Sequence, residues 1–372
     1  MVTALHFRTT MSSTGRRTTT GPKVTTIFWL CVLGLLAVLR GAVAVVVSGQ
    51  AGGGDLRVTK VREHLHMLTG AGGNIAVLDF PEGVTLVDSG RLEMSDKVLA
   101  AVRTLSPQPI RYIINTSADP DHTGGNEKVG GAGGQITGGN VAGQVSDAAE
   151  GAEIIAHENV LERMTAPSVK PPLPVRMTPG TTYHTAHLKL STFYHGDGIE
   201  LFAAPAAHTD GDTLVYFRRN DVLVTGDVFA SNSYPVIDPA RGGSINGEID
   251  ALNHVIDVAF PDFRLEGGTV IVPGHGRLCD SADVAYYRDM VTIVRDRVQD
   301  LLKKAMTLEQ VKAAKVTREY DGLYGKNPSW TPDMFVESIY KSLSAGAKPV
   351  AAARPAASQR SAPTKNSAPT KK

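Results

Sequence analysis

Four times along this chain an apolar, strand-like run stops at a histidine or aspartate set beside glycine, and that recurrence limits the fold more than any other feature. The first run, Ile110-Arg111-Tyr112-Ile113-Ile114, is followed by Asn115-Thr116-Ser117-Ala118-Asp119-Pro120-Asp121-His122-Thr123-Gly124-Gly125-Asn126. Downstream come Ala207-His208-Thr209-Asp210-Gly211-Asp212, then Val224-Thr225-Gly226-Asp227, then Val272-Pro273-Gly274-His275-Gly276. Glycine lets the backbone turn sharply where a strand ends. Asp119, Asp121 and His122 therefore crowd one strand end, where such groups repel or desolvate one another unless a cation or hydrogen-bond network compensates. Taken alone, the first segment reads as well as a polar turn with an Asx cap. Asp227 alone could anchor a turn, and His275 alone could cap a strand. Together, in this order, they read as a metal site.

The order of the four motifs resembles the metallo-β-lactamase superfamily, over roughly residues 55–300. That family's signature is His-x-His-x-Asp-His, then a single histidine, a bridging aspartate and a last histidine. Asp121, His122, His208, Asp227 and His275 stand at its ligand positions, while Ser117 and Asp119 stand where the first two histidines belong. The turn Asp88-Ser89-Gly90, closing strand candidate Val84–Val87, also resembles the family. The fold expected is α/β, a four-layer αββα sandwich with two mixed β-sheets flanked by helices. The residues support it independently, because strands and helices alternate. Ser95 caps a helix carrying Val98, Leu99, Val102 and Leu105 on one face, and a helix over about 282–303 spaces Val284, Tyr287, Val291, Val294, Val298 and Leu301 three to four apart.

The resemblance implies a divalent metal, zinc foremost with manganese or iron as alternatives, in one or two copies. Asp121, His122 and His275, with Asp227 as a bridge, make one complete ligand set. The other set keeps His208 beside Asp119 and is weakened or altered, since a serine hydroxyl ligates poorly and oxygen-rich sites favour harder ions. A bound divalent ion lowers the pKa of its water to about 7, which makes hydroxide available at neutral pH. The function expected is an exported metal-dependent hydrolase using metal-bound hydroxide on an ester, thioester, lactam or related bond, with Asp121 as catalytic residue. The alternative is a degenerate, non-catalytic metal- or ligand-binding member of the same fold. Changing Ser117 and Asp119 to histidine is expected to rebuild a three-histidine site with His208. The polar loop after Asp227 carries Tyr234, Arg241, Ser244 and Asn246, of which Tyr234, Ser244 and Asn246 are candidate substrate contacts.

Composition sets the partners. A formal net charge of +1 over 372 residues gives no reason to expect nucleic acid, so a small-molecule substrate is expected. Residues 1–51 read as a signal peptide or N-terminal anchor with a linker. A basic start precedes the apolar run 27–39, Ala42-Val43-Ala44 offers a small-residue exit, and a retained anchor would associate with the membrane. Export to the periplasm or beyond follows from either version. The metallo-β-lactamase-like domain then covers 55–300, with a low-complexity insertion at 128–150 read as mobile, either a substrate lid or a tolerated surface loop. Helices at 301–344 are expected to pack on the domain, ahead of a disordered basic Ala/Pro/Ser/Lys tail at 345–372. Of two cysteines, Cys31 lies in the apolar run and Cys279 is expected to be a structural, partly buried thiol.

Overall fold

The computed structural model describes residues 56–135, 151–191, 195–260 and 267–346. Two sheets form its centre. The larger runs in the order β1(Arg57–Lys60), β2(Leu65–Thr69), β3(Ile75–Phe80), β4(Gly83–Val87), β5(Ile110–Ile114), β6(Glu153–His157), β7(Thr181–Tyr183). Its first four strands pair antiparallel, and β4 through β7 run parallel. The smaller sheet has the order β12(Val270–Val272), β11(Val222–Val224), β10(Asp212–Phe217), β9(Ile199–Ala204), β8(His187–Leu190), with only β11 and β12 parallel. Both sheets are mixed, as expected.

Alternation along each strand decides which layer a side chain enters. On β3, Ala76, Leu78 and Phe80 face the second sheet and meet Leu201, Val215, Phe217 and Val224 in the central core. Ile75 and Val77 face the other way, against Val98, Leu99 and Val102 of helix α1(Ser95–Leu105). The outer face of the smaller sheet packs Leu214, Leu223 and Ile271 against Ile249, Leu252 and Val255 of one long helix, Ile245–Ala259, and Val291, Val294 and Val298 of another, Ser281–Lys303. The order is helix, sheet, sheet, helix. Each fully buried leucine or isoleucine contributes roughly 1.5–3 kcal/mol, so the sandwich sits on three continuous apolar layers.

The C-terminal helices belong to this body. Val311, Tyr324, Phe335, Val336 and Ile339 share the core cluster of Leu252 and Val294. The last helix runs through Gly346, two residues into the stretch expected as tail. Cys279 is buried and free, and burial pushes its thiol up to about 12, which fits a structural role.

Three expectations change in detail. Strand candidate Val58–Met67 is two strands, because the chain reverses at 61–64, where Val61 and Arg62 both donate to the Leu65 carbonyl. Ser95 is the first helical residue rather than the cap, its hydroxyl donating to the Leu92 carbonyl at 2.7 Å. The start of the glycine-rich insertion is a helical turn, Asn126–Gly130, whose Val129 is fully buried against the sheet. Its continuation at 136–150, the N-terminal segment 1–55 and the tail 347–372 lie outside the described residues. Among the described residues no helix is long and apolar enough to cross a membrane.

Candidate metal centre

The predicted ligands arrive at one end of the sandwich, on the loops that follow β5, β9, β11 and β12. Backbone bonds between those loops fix their spacing. The Thr213 amide donates to the Thr116 carbonyl at 2.9 Å, joining the two sheets beside the site. The Gly274 amide donates to the Gly226 carbonyl at 2.9 Å, which holds the Asp227 turn against the His275 turn. Asn74 clamps the same turn from the first sheet, its side-chain amide donating to the carbonyls of Pro273 at 2.9 Å and Gly276 at 3.1 Å.

Asp121, His122 and His275 present ligand atoms that all lie within 4.8 Å of one another. Asp227 reaches into this group, with Oδ1 at 3.1 Å from His122 Nε2 and 3.4 Å from His275 Nε2. Its Oδ2 points the other way, 3.7 Å from His208 Nε2. Its two oxygens therefore face the two histidine groups. His122 is fully buried and its tautomer is set from behind, where Nδ1–H meets Asp88 Oδ2 at 2.7 Å. Asp88 is held in turn by the Thr116 amide and hydroxyl, at 2.8 and 2.7 Å, and sits in the left-handed region at φ 66°. A non-glycine residue in that conformation carries strain, which persists where surrounding bonds over-determine it, as here. A carboxylate behind a metal-facing histidine orients the ring and raises its basicity. Sequence reasoning marked Asp88 only as part of a turn, because its contact with His122 joins the ends of two neighbouring strands, 34 residues apart. Gly73 completes the cradle. A Cβ there would stand 2.7 Å from the His122 ring, so only glycine admits the imidazole.

Three acids and three histidines in one pocket require positive charge, and the ionisation of each group shows it. Burial works against the charged form of His208, yet hydrogen bonding to Asp119 and the charge of Asp227 push it up to about 10. His275, against the same burial, is pushed up to about 9 by Asp121 and Asp227. Asp227, though buried, is carried well below the carboxylate range by His122. A divalent cation is the other way to supply that charge. Asp121, His122, His275 and Asp227 offer two imidazole nitrogens and two carboxylates at the spacing such an ion needs, with Asp121 still 22% exposed toward solvent. These residues fit a metal.

The second predicted group does not fit in the same way. Asp119, His208 and Asp227 also lie within 4.8 Å of one another. However, Asp119 is already engaged. His208 Nε2 meets its Oδ2 at 2.7 Å, and Arg241 grips both of its oxygens, through Nη1 to Oδ1 and through Nη2 to Oδ2 at 3.2 Å. Burial opposes the charge on Asp119, but the hydrogen bonds from His208 and Arg241 hold its carboxyl far below the usual carboxylate range. Ser117 offers no ligand in compensation, since its hydroxyl accepts from the Asp119 amide at 3.3 Å and braces the turn.

The loop residues taken as substrate contacts have other work. Tyr234 is fully buried, stacked on Phe335, and its hydroxyl donates to the Thr317 carbonyl and Asp321. It is a core residue, because this loop folds back under the C-terminal helices. Ser244 caps the helix Ile245–Ala259 by accepting from the Gly247 amide at 3.0 Å, and Asn246 accepts from Arg295 at 2.9 Å. Arg241, noted in the loop but not chosen, is the residue that reaches the centre. Another unforeseen group is Glu248, fully buried behind the site with neither carboxylate oxygen partnered among the described residues.

The family model of the metallo-beta-lactamase superfamily matches residues 68–275. The chain belongs to the metallo-beta-lactamase superfamily. A linear primary-alkylsulfatase from a Pseudomonas sp. is 23% identical over 274 residues, covering 63% of this chain and 48% of the relative. The chain thus spans about half the length of the curated relative it matches. Among solved structures, a stereoselective inverting sec-alkylsulfatase from Pseudomonas sp. aligns at a TM-score of 0.55 and 16% identity, over 77% of this chain and 50% of that one. A metallo-beta-lactamase from Pontibacter korlensis aligns at 0.48 and 19%, over 64% of this chain and 99% of its own.

Proposed function

We propose that this chain is a metal-dependent hydrolase of a small molecule carrying an ester, thioester, lactam or related bond. One divalent ion is held by Asp121, His122 and His275 with Asp227, zinc before manganese or iron because two imidazoles face it. The observation that carries this is the convergence of Asp121, His122 and His275 from two strand ends onto one point that Asp227 reaches from a third, with a carboxylate already behind the buried histidine. When bound, such an ion supplies Lewis acidity and lowers the pKa of a water to about 7.

The protein's own residues do the rest. Asp88 keeps the His122 Nδ1 proton in place, so Nε2 is the atom offered to the site. Asn74 holds the His275 turn in register with the Asp227 turn. Of the three acids, Asp121 is the most exposed, at 22% against 16% for Asp119 and 12% for Asp227, so it is the carboxylate through which a proton reaches solvent. The named activities of the relatives place alkyl sulfate esters in the first substrate screen beside carboxylic esters, thioesters and lactams.

The engagement of Asp119 by Arg241 favours a second reading, a member that binds one metal or ligand without turnover. Elemental analysis combined with that screen separates the two. Turnover that is abolished by chelation and restored by zinc supports the hydrolase, and a metal-loaded chain inert across all four bond types supports the binding protein. We also propose export, on the strength of the basic start and apolar run of residues 1–39. Cell fractionation that finds the chain in the cytosol still carrying Met1 contradicts it.

A further inference from the structure

The two halves of the centre differ in what neutralises them, and the difference is built into the loop that carries Arg241. Its Nε donates to Asp238 Oδ2 at 2.7 Å, and the Ala240 and Arg241 amides donate to Asp238 Oδ1 at 2.9 and 3.2 Å. The loop is in turn tied to the segment bearing His208. The Asp238 amide donates to the His208 carbonyl at 3.0 Å, and the Asp210 amide donates to the Arg241 carbonyl at 3.1 Å. Arg163 spans both, donating to Asp210 Oδ1 and to the Arg241 carbonyl at 2.6 Å. Gly242 makes this fit, at φ 83° with the Asp210 carboxylate 2.7 Å from where a Cβ would stand. The guanidinium is therefore delivered to Asp119 by the backbone, as a ligand is.

We propose that Arg241 is the resident cation of the position between Asp119 and His208, a permanent charge that takes the place of an ion there and excludes a second metal from the centre. The proposal rests on the reading of one ion at Asp121, His122 and His275. Arg241 closes on both oxygens of Asp119 and His208 meets one of them, so the guanidinium lies where an ion would approach that carboxylate. A guanidinium cannot be deprotonated in a protein, so a divalent ion entering beside Asp119 meets a fixed positive charge on the same carboxylate. The carboxylate has about four acceptor sites, of which Arg241 uses two and His208 a third. The lost histidine ligands then follow. Where an arginine supplies the charge, a carboxylate at 119 is the partner required, and a hydroxyl at 117 suffices to hold the turn.

Equilibrium binding of zinc and of cobalt to the full chain tests this, with ions counted per chain by elemental analysis after gel filtration. The wild type is expected to saturate at one ion. Arg241→Ala is expected to take up a second ion, with the second dissociation constant tightened at least ten-fold, and adding Asp119→Ala to it is expected to return the count to one. Arg241→Gln, uncharged yet able to bond Asp238 and Asp119, replaces Arg241→Ala if the alanine loop fails to fold by circular dichroism, and the same gain is expected. A wild type that holds two ions tightly overturns the proposal, as does a folded Arg241→Gln that still holds one. Both outcomes leave the ion at Asp121, His122 and His275 in place. A wild type that binds no ion removes that reading and this one together.

Discussion

Within one centre about two side chains wide, the half around His122 and the half around His208 solve the same electrostatic problem differently. Both bury an imidazole against an aspartate. Behind His122 stands Asp88, a carboxylate that holds Nδ1 and leaves Nε2 turned toward Asp227 and the site. His208 is instead oriented by the Val236 carbonyl at 2.6 Å, and the aspartate in front of it is taken by Arg241. The first half is arranged to receive a cation, and the second already holds one. The lesson is that ligand identity does not decide occupancy. Asp119 and His208 are competent donors, and the loop that covers them determines what they bind.

The strongest way to break this contrast is to remove a ligand from the receptive half. His122→Ala or Asp121→Ala is expected to weaken metal binding on the order of a thousand-fold, since a site worth roughly 10–16 kcal/mol loses one of its four ligands. Isothermal titration with zinc measures it, and His208→Ala is expected to change that affinity far less. Equal losses for His122→Ala and His208→Ala would show that the halves act as one.

Next in size is the carboxylate behind the ring. Asp88→Asn keeps the shape but lets the amide offer a donor to His122, and metal affinity is expected to fall about 10–100-fold with the fold intact by circular dichroism. The contrast is sharpened from the other side by rebuilding the lost histidines. The sequence alone suggests that Ser117→His with Asp119→His restores a three-histidine site. The structure adds that Arg241 then keeps Asp238 but loses Asp119, which leaves a fixed positive charge beside three imidazoles. The double variant is therefore expected to bind no second zinc, and the triple variant with Arg241→Ala is expected to bind one.

Why some of this was legible in the sequence, and some not, follows from range. The four strand ends could be read because an apolar run, a glycine and a ligand residue are adjacent in the chain, as in Val272-Pro273-Gly274-His275. The sandwich could be read for the same reason, from alternation along strands such as Ile75–Phe80 and helical spacing from Val284 to Leu301. Arg241 lies 122 residues from Asp119, and no local pattern marks such a partnership. Tyr234 misled because a polar loop beside a metal motif ordinarily faces solvent, whereas here the C-terminal helices cover it and its hydroxyl is spent on Thr317 and Asp321. Asp88 could be seen as a turn but not as the partner of His122, since that bond crosses from β4 to the loop after β5.

Two smaller effects probe the supports of each half. Asn74→Ala removes both side-chain bonds to the His275 turn and is expected to cost about 2 kcal/mol of stability and a few-fold in metal affinity, read by urea unfolding and titration. The Glu248 carboxylate has no hydrogen-bond partner among the described residues and carries a penalty. Burial, then the nearby charge of Asp212, raises its pKa well above the ordinary glutamate value. A raised acid pKa means that the folded chain binds a proton more tightly than the unfolded one. Its contribution is full below the unfolded glutamate range and is lost as pH rises toward the folded pKa. Glu248→Gln removes that slope. The variant is expected to match wild type near pH 4 and to gain about 1 kcal/mol relative to it at pH 8, measured as the difference in urea midpoints.

Where positive charge sits in the centre decides between one ion and two. Anomalous diffraction at the zinc edge, on crystals grown with several equivalents of zinc, locates it directly. The result predicted is one strong peak within coordination distance of His122 Nε2 and His275 Nε2, about 2.0–2.1 Å, with the Arg241 fork still closed on Asp119. A second full-occupancy peak between Asp119 and His208, with Arg241 swung away, contradicts it.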